Sequence, residues 1–385
     1  MPDTITTRDL APYVHGAAEI ELTQSGLKPH RLPSWARAQC SDGQLAMAEA
    51  QPAGVRVRFR TAATYVELVT LPTKLEYVGI PPRPDGLYDL LVDGALVAQG
   101  TVPGGTAVVI DMLAGTMDVR PGEPGSVVFD GLPEGPKDVE IWLSYREVVE
   151  LVELRTDAPV DVAAPSGRPV WLHHGSSISH GSDAASPTRT WPAIAAALGR
   201  VDLVSLGLGG SALLDPFVAR TIRDSPADLV SAKIGINLVN LDLMRRRAFG
   251  PAVHGFLDTI RDGHPDVPLL VVSPIHCAIH EDAPGPSLPV LDDGAPYFRA
   301  GGDPAGVAAG QLTLRVIRTE LARIVAERST SDPHLHYLDG LTLYGAADAA
   351  ERPLPDALHP DAATHELIGA RFGEQVFSPR GSFRR

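Results

Sequence analysis

Cysteine is almost absent from this chain. Cys40 and Cys277 are the only two in 385 residues and lie far apart in sequence, which argues against a disulfide framework and fits free thiols in a reducing compartment. No run of 18 apolar residues occurs, so no helix is expected to span a membrane. Basic runs are scarce as well: none exceeds Arg245-Arg246-Arg247, and 33 basic against 47 acidic residues give a net charge of −14. That balance argues against nucleic acid and anionic membrane as partners. The opening "MPDTITTRDLAPYVHG" has neither the basic start nor the apolar core of a secretory signal. Together these absences lead to the expectation of a cytoplasmic protein.

What is present is the make-up of a globular chain, 44% hydrophobic and 21% charged. It is long enough for two domains. From about Ala18 to Glu153 the apolar residues alternate in short runs. "VRVRFRTAA" (55–63) sets Val55, Val57 and Phe59 on one face and arginines on the other. "YVELVTL", "TAVVIDML" and "KDVEIWLSY" continue the pattern between Gly, Pro and Asp clusters, and "LVDGALV" carries an Asp-Gly hairpin turn. This rhythm predicts an antiparallel β-sandwich over residues 1–165. After the Pro/Ala-rich connector "RTDAPVDVAAPSGRP" (155–169) the rhythm changes. Apolar runs "VWLHH", "VDLVSLG", "DLVSAKIG", "PLLVVSP" and "HLHYLDG" alternate with helical patterns, which predicts a parallel sheet covered on both faces over residues 166–385.

In such α/β sheets, ligands sit beyond the carboxyl ends of the strands. Those ends carry Gly175-Ser176-Ser177-Ile178, Gly207-Leu208-Gly209-Gly210-Ser211, Gly235-Ile236-Asn237, Ser273-Pro274-Ile275-His276 and, before the last helix, Asp356-Ala357-Leu358-His359. One sheet edge thus gathers hydroxyls, glycines, an asparagine and an Asp-x-x-His pair. Acyl transfer needs those groups: a nucleophile, an imidazole base, a carboxylate to orient it and donors for an oxyanion. Singly, each has a plainer explanation, since serines and glycines after strands commonly cap helices or close turns. Their shared edge is what the plainer explanations leave unaccounted for. Ser176, Ser177 and Ser179 all remain candidates on this reading, as do the neighbouring His173, His174 and His180.

These blocks resemble those of the SGNH, or GDSL-like, hydrolases. The first block of that family places its nucleophile third, which implies Ser177, with Ser176 where the family usually has Asp. The resemblance implies Gly210 (with Gly209 second) and Asn237 as oxyanion donors beside the Ser177 backbone N–H, with Leu238 in place of the usual Asp after the Asn. It implies His359 as base and Asp356 as its orienting carboxylate. "GLYDLLVDG" is the stretch of the first half most like the β-rich domain that precedes some such hydrolases. Ile178 and His276 are expected to line the substrate site. Neither a metal nor an organic cofactor is implied, although His173/His174/His180 and His276/His280 invite a zinc reading. The implied function is a serine esterase acting on a carbohydrate or small-molecule ester with a short acyl group, of which acetyl is the first candidate. The alternatives are an acyltransferase and a non-catalytic carbohydrate-binding protein on the same fold. Residues 281–306, which show no regular period, are expected to form a loop that shapes the acyl or alcohol pocket.

Overall fold

The computed structural model describes residues 4–40, 42–111, 114–292 and 295–384. The chain divides into two compact units. The first comprises residues 1–34, 49–167 and 186–188; the second comprises 35–48, 168–185 and 189–385. The main change of unit falls between Gly167 and Arg168, but two short segments each join the unit built from the other half of the chain.

The first unit is β-rich. Among the described residues, one sheet has eight strands and another has six. The inward residues of both, including Val57, Phe59, Tyr88 and Ile141 of the smaller and Leu68, Phe129, Val149 and Leu154 of the larger, form one buried apolar cluster. The Asp-Gly hairpin is present between Leu87–Val92 and Ala95–Thr101, with Asp93 and Gly94 at φ 49° and 82°, as a two-residue primed turn requires. Two of the three arginines of "VRVRFR" are covered as well: the Arg56 guanidinium stacks on Trp142 at 5.0 Å, and Arg58 donates to Ala164 O at 3.0 Å. Within "GLYDLLVDG", the fully buried Asp89 accepts from Ser186 Oγ, Thr188 N, Thr188 Oγ1 and Gln99 Nε2 at 2.6–2.8 Å.

Several expectations need correction. The first unit is not wholly antiparallel, because Val66–Tyr77 and Thr106–Asp111 pair in parallel. The connector contains a strand, Val160–Val162, which completes the edge beside Arg56–Thr61. The stretch 281–306 is not a featureless loop: Ser287–Asp292 and Ala295–Ala300 pair as an antiparallel hairpin.

The second unit is α/β. Its sheet comprises Asp202–Gly207, Val170–Gly175, Leu229–Lys233, Leu269–Val272 and Leu335–Leu338, in that spatial order and all parallel. The first strand in sequence therefore has the second on one side and the third on the other. Such a reversal of strand order opens a crevice at the carboxyl edge. Adjacent residues of the first strand face opposite layers: the His173 ring meets Trp191 at 4.8 Å, and the His174 ring meets Phe256 at 5.8 Å. Helices Trp191–Gly199 and Ala362–Val376 lie on the first side and helix Arg246–Gly263 on the second.

Candidate active site

The first strand ends at Gly175, and a single helical turn, Ser177–His180, begins at once. The tight entry depends on glycine: a Cβ on Gly175 would fall 2.3 Å from Ser179 Oγ. Of the three serines, only Ser177 is partly exposed. Ser176 and Ser179 are each 1% exposed, and Ser179 Oγ is already bonded to His173 Nε2 at 2.8 Å.

Residues 356–359 form the facing loop. Asp356 Oδ1 accepts from the backbone N–H groups of Leu358 and His359 at 2.9 and 2.6 Å, which folds the loop on its own carboxylate. Ala357 adopts φ 67°, a left-handed conformation that costs a non-glycine residue about 1 kcal/mol. Its carbonyl accepts from Cys277 Sγ at 3.3 Å. Burial pushes the Cys277 thiol up to about 12, so it stays protonated and able to donate. Asp356 Oδ2 accepts from His359 Nδ1–H at 2.7 Å, leaving Nε2 to accept from the Ser177 hydroxyl at 3.0 Å. Burial would raise the Asp356 carboxyl, but the hydrogen bonds and charge of His359 outweigh it and hold the group below the usual carboxylate range. A serine–imidazole–carboxylate relay is therefore assembled from Ser177 and a loop 179 or more positions further along the chain.

The candidate oxyanion donors border the same crevice. Asn237 is 2% exposed and its Oδ1 accepts from Ala212 N at 3.1 Å, which turns Nδ2 away from that contact. The N–H groups of Ser177 and Gly210 donate to no protein group among the described residues. A Cβ on Gly209 would stand 3.9 Å from Ser177 Cβ, so the glycine turn flanks Ser177.

The local histidines are not part of the relay. His173 bridges Ser231 Oγ and Ser179 Oγ at 2.7 and 2.8 Å, and complete burial holds its pKa far below the ordinary imidazole value. His174 and His180 use Nδ1 on the carbonyls of Leu206 and Gly207. His280 is bonded to Ala283 O and Ser287 Oγ. Ile178 and His276 are the two residues expected to line the substrate site. Ile178 is 2% exposed, because the single turn carries it inward. His276 lines a depression of about 600 Å³ with Glu281, Arg318, Tyr337 and Asp339, to which none of Ser177, Asp356 and His359 contributes.

Three neighbours of the relay escaped the sequence reading. Phe298, on the hairpin, donates its N–H to Asp356 O at 2.9 Å and sets its ring edge-on to His359 at 5.8 Å. Asp183 brings a second carboxylate: ligand atoms of Asp183, Asp356 and His359 all lie within 4.8 Å of one another. Gln44 donates from Nε2 to Gly209 O at 2.9 Å. Only Gln44 had a signal that could have found its element, since Asp42 followed by "GQLAMAEA" is an N-cap before strong helix formers.

Solved structures with this architecture cover most of the chain. A salicylyl-acyltransferase from a tetracycline biosynthetic pathway is 27% identical, with a TM-score of 0.76 over 96% of this chain and 95% of that one. The fold is of the SGNH type. A GDSL-like lipase from Bacteroides ovatus shares it at 17% identity and a TM-score of 0.66, over 96% of both chains. So does a family two carbohydrate esterase from Clostridium thermocellum, solved with cellohexaose, at 14% identity and a TM-score of 0.55 over 83% of this chain and 91% of that one. No protein-family profile and no curated protein sequence matches the chain. Among the described residues no helix is long and apolar enough to cross a membrane.

Proposed function

We propose that this SGNH-type protein is a serine esterase that hydrolyses a carboxylic ester through an acyl-enzyme on Ser177. The observation that carries this reading is the unbroken relay from Ser177 Oγ through His359 to Asp356, with contacts of 3.0 and 2.7 Å. In the first half-reaction the Ser177 oxygen attacks the ester carbonyl carbon while His359 Nε2 takes the hydroxyl proton. The negative charge on the carbonyl oxygen is received by the N–H groups of Ser177 and Gly210 and by Asn237 Nδ2. Collapse breaks the bond to the alcohol oxygen, which takes the proton from His359. Water then attacks the acyl-enzyme with His359 as base, and the acid is released.

The preferred substrate is a short acyl ester, acetyl first, of a carbohydrate or other small molecule. The hairpin residue Phe298 beside His359 supports a pocket wall supplied by residues 287–300. A second reading, acyl transfer to another alcohol, uses the same residues and is favoured by the similarity to the salicylyl-acyltransferase. A non-catalytic binding role leaves the intact relay unexplained.

Incubation with 4-nitrophenyl esters from acetyl to long chain, with and without a sugar or aromatic alcohol, tests these readings. Free acid as the main product supports the esterase. A new ester formed at the expense of the acid supports the transferase. No turnover of any ester, with Ser177 unlabelled by acylating probes, overturns both.

A further inference from the structure

The turn Leu208-Gly209-Gly210-Ser211 closes with Ser211 N–H donating to Leu208 O at 3.1 Å. Gly210 has φ +71°, whereas Gly209 is not among the residues of positive φ, so the turn is of type II. Types I and II differ by a flip of their central peptide, here the trans bond between Gly209 and Gly210. In a trans peptide the carbonyl and the N–H point in opposite directions. Whatever holds the Gly209 carbonyl therefore sets where the Gly210 N–H points. With two glycines, little steric resistance opposes the flip.

Gln44 holds that carbonyl, and its Cγ, Nε2 and Cδ lie 3.2–3.4 Å from where a Cβ on Gly210 would stand. The second unit fixes Gln44 in its turn. Asp42 Oδ1 caps the Gln44 N–H at 3.0 Å at the start of helix Gly43–Ala50, and Leu45 and Ala48 bury the inner face of that helix. Upstream, Trp35 stacks under the Arg220 guanidinium at 5.1 Å, and Gln39 accepts from the same group. The segment 35–48, distant in sequence from every catalytic block, is thus part of the α/β unit.

We infer that Gln44 is a positioning residue for the oxyanion hole: its amide locks the 208–211 turn in the type II state, so that the Gly210 N–H points away from Gln44 and is available to the developing oxyanion beside Ser177. This deepens the esterase reading and rests on it. Gln44→Met keeps the shape and removes the donor, while Gln44→Glu places a carboxylate against the Gly209 carbonyl and favours the flipped peptide.

The test is steady-state cleavage of 4-nitrophenyl acetate by both variants, alongside Ser177→Ala and thermal melting. The expected result is a roughly tenfold fall in kcat for Gln44→Met and a larger fall for Gln44→Glu, with KM within about twofold of wild type. Inhibition by an alkyl boronic acid, which mimics the tetrahedral adduct, should weaken by a similar factor. Should Gln44→Met melt earlier, Gln44→Glu, which preserves the side-chain length, decides on the kcat and boronate readouts. An unchanged kcat in both variants, or a change confined to KM, would overturn the assignment. Residual cleavage by Ser177→Ala would instead overturn the serine reading beneath it.

Discussion

Two histidine-bearing regions of the α/β unit have opposite fates. Between Trp171 and Gly181 three imidazoles are packed into the sheet and the first turn, each with a ring nitrogen committed to a serine or a carbonyl. On the 356–359 loop a single imidazole is partly exposed, held by one carboxylate and facing one hydroxyl. Residue type is the same; burial and the partner of each nitrogen differ. A buried imidazole tied to a structural serine or carbonyl serves as a strut. One fixed at Nδ1 by a carboxylate, with Nε2 turned to a partly exposed hydroxyl, is set for proton transfer. A dense cluster of histidines near a nucleophile is therefore a weak guide to the base.

The sharpest way to break this contrast is to remove one histidine from each region. His359→Ala should lower kcat on any accepted ester by roughly 10⁴-fold or more, with the thermal midpoint nearly unchanged. Asn237→Ala should cost about 10²–10³ in kcat, the usual loss for one oxyanion donor, and intact circular dichroism would separate that from misfolding. His173→Leu should do the reverse of His359→Ala. It strands Ser179 Oγ and leaves Ser231 Oγ with only the Trp171 indole, costing about 3 kcal/mol of stability in a urea titration, while kcat per folded molecule stays within a few-fold. A smaller effect is expected from replacing residues 287–300 by a short Gly/Ser link. Ester preference across acyl lengths should shift, because Phe298 leaves His359; an unchanged profile would assign the pocket wall elsewhere.

The sequence made the second unit easier to read than the first. Five apolar runs at strand length, each followed by a helical period, define the parallel sheet, and the four blocks fall at its carboxyl edge because loops after parallel strands converge there. The first unit was legible as alternating strands and one Asp-Gly hairpin. Its parallel pair was not, since alternation reports burial of one face and carries no strand direction. The paired strands 287–292 and 295–300 were missed because Pro289 and Pro296 mask their period. Gln44, Asp183 and Phe298 were invisible for a different reason: their closeness to the relay is a product of tertiary packing between segments far apart in the chain.

The most direct test of the account is to ask which serine becomes covalently modified. Wild type and His359→Ala would be treated with a fluorophosphonate, digested, and the peptide spanning Val170–Asp183 sequenced by mass spectrometry. The account predicts a single adduct on Ser177, formed rapidly in wild type and far more slowly without His359. An adduct on Ser176 or Ser179, or labelling of Ser177 at the same rate in both proteins, would contradict it.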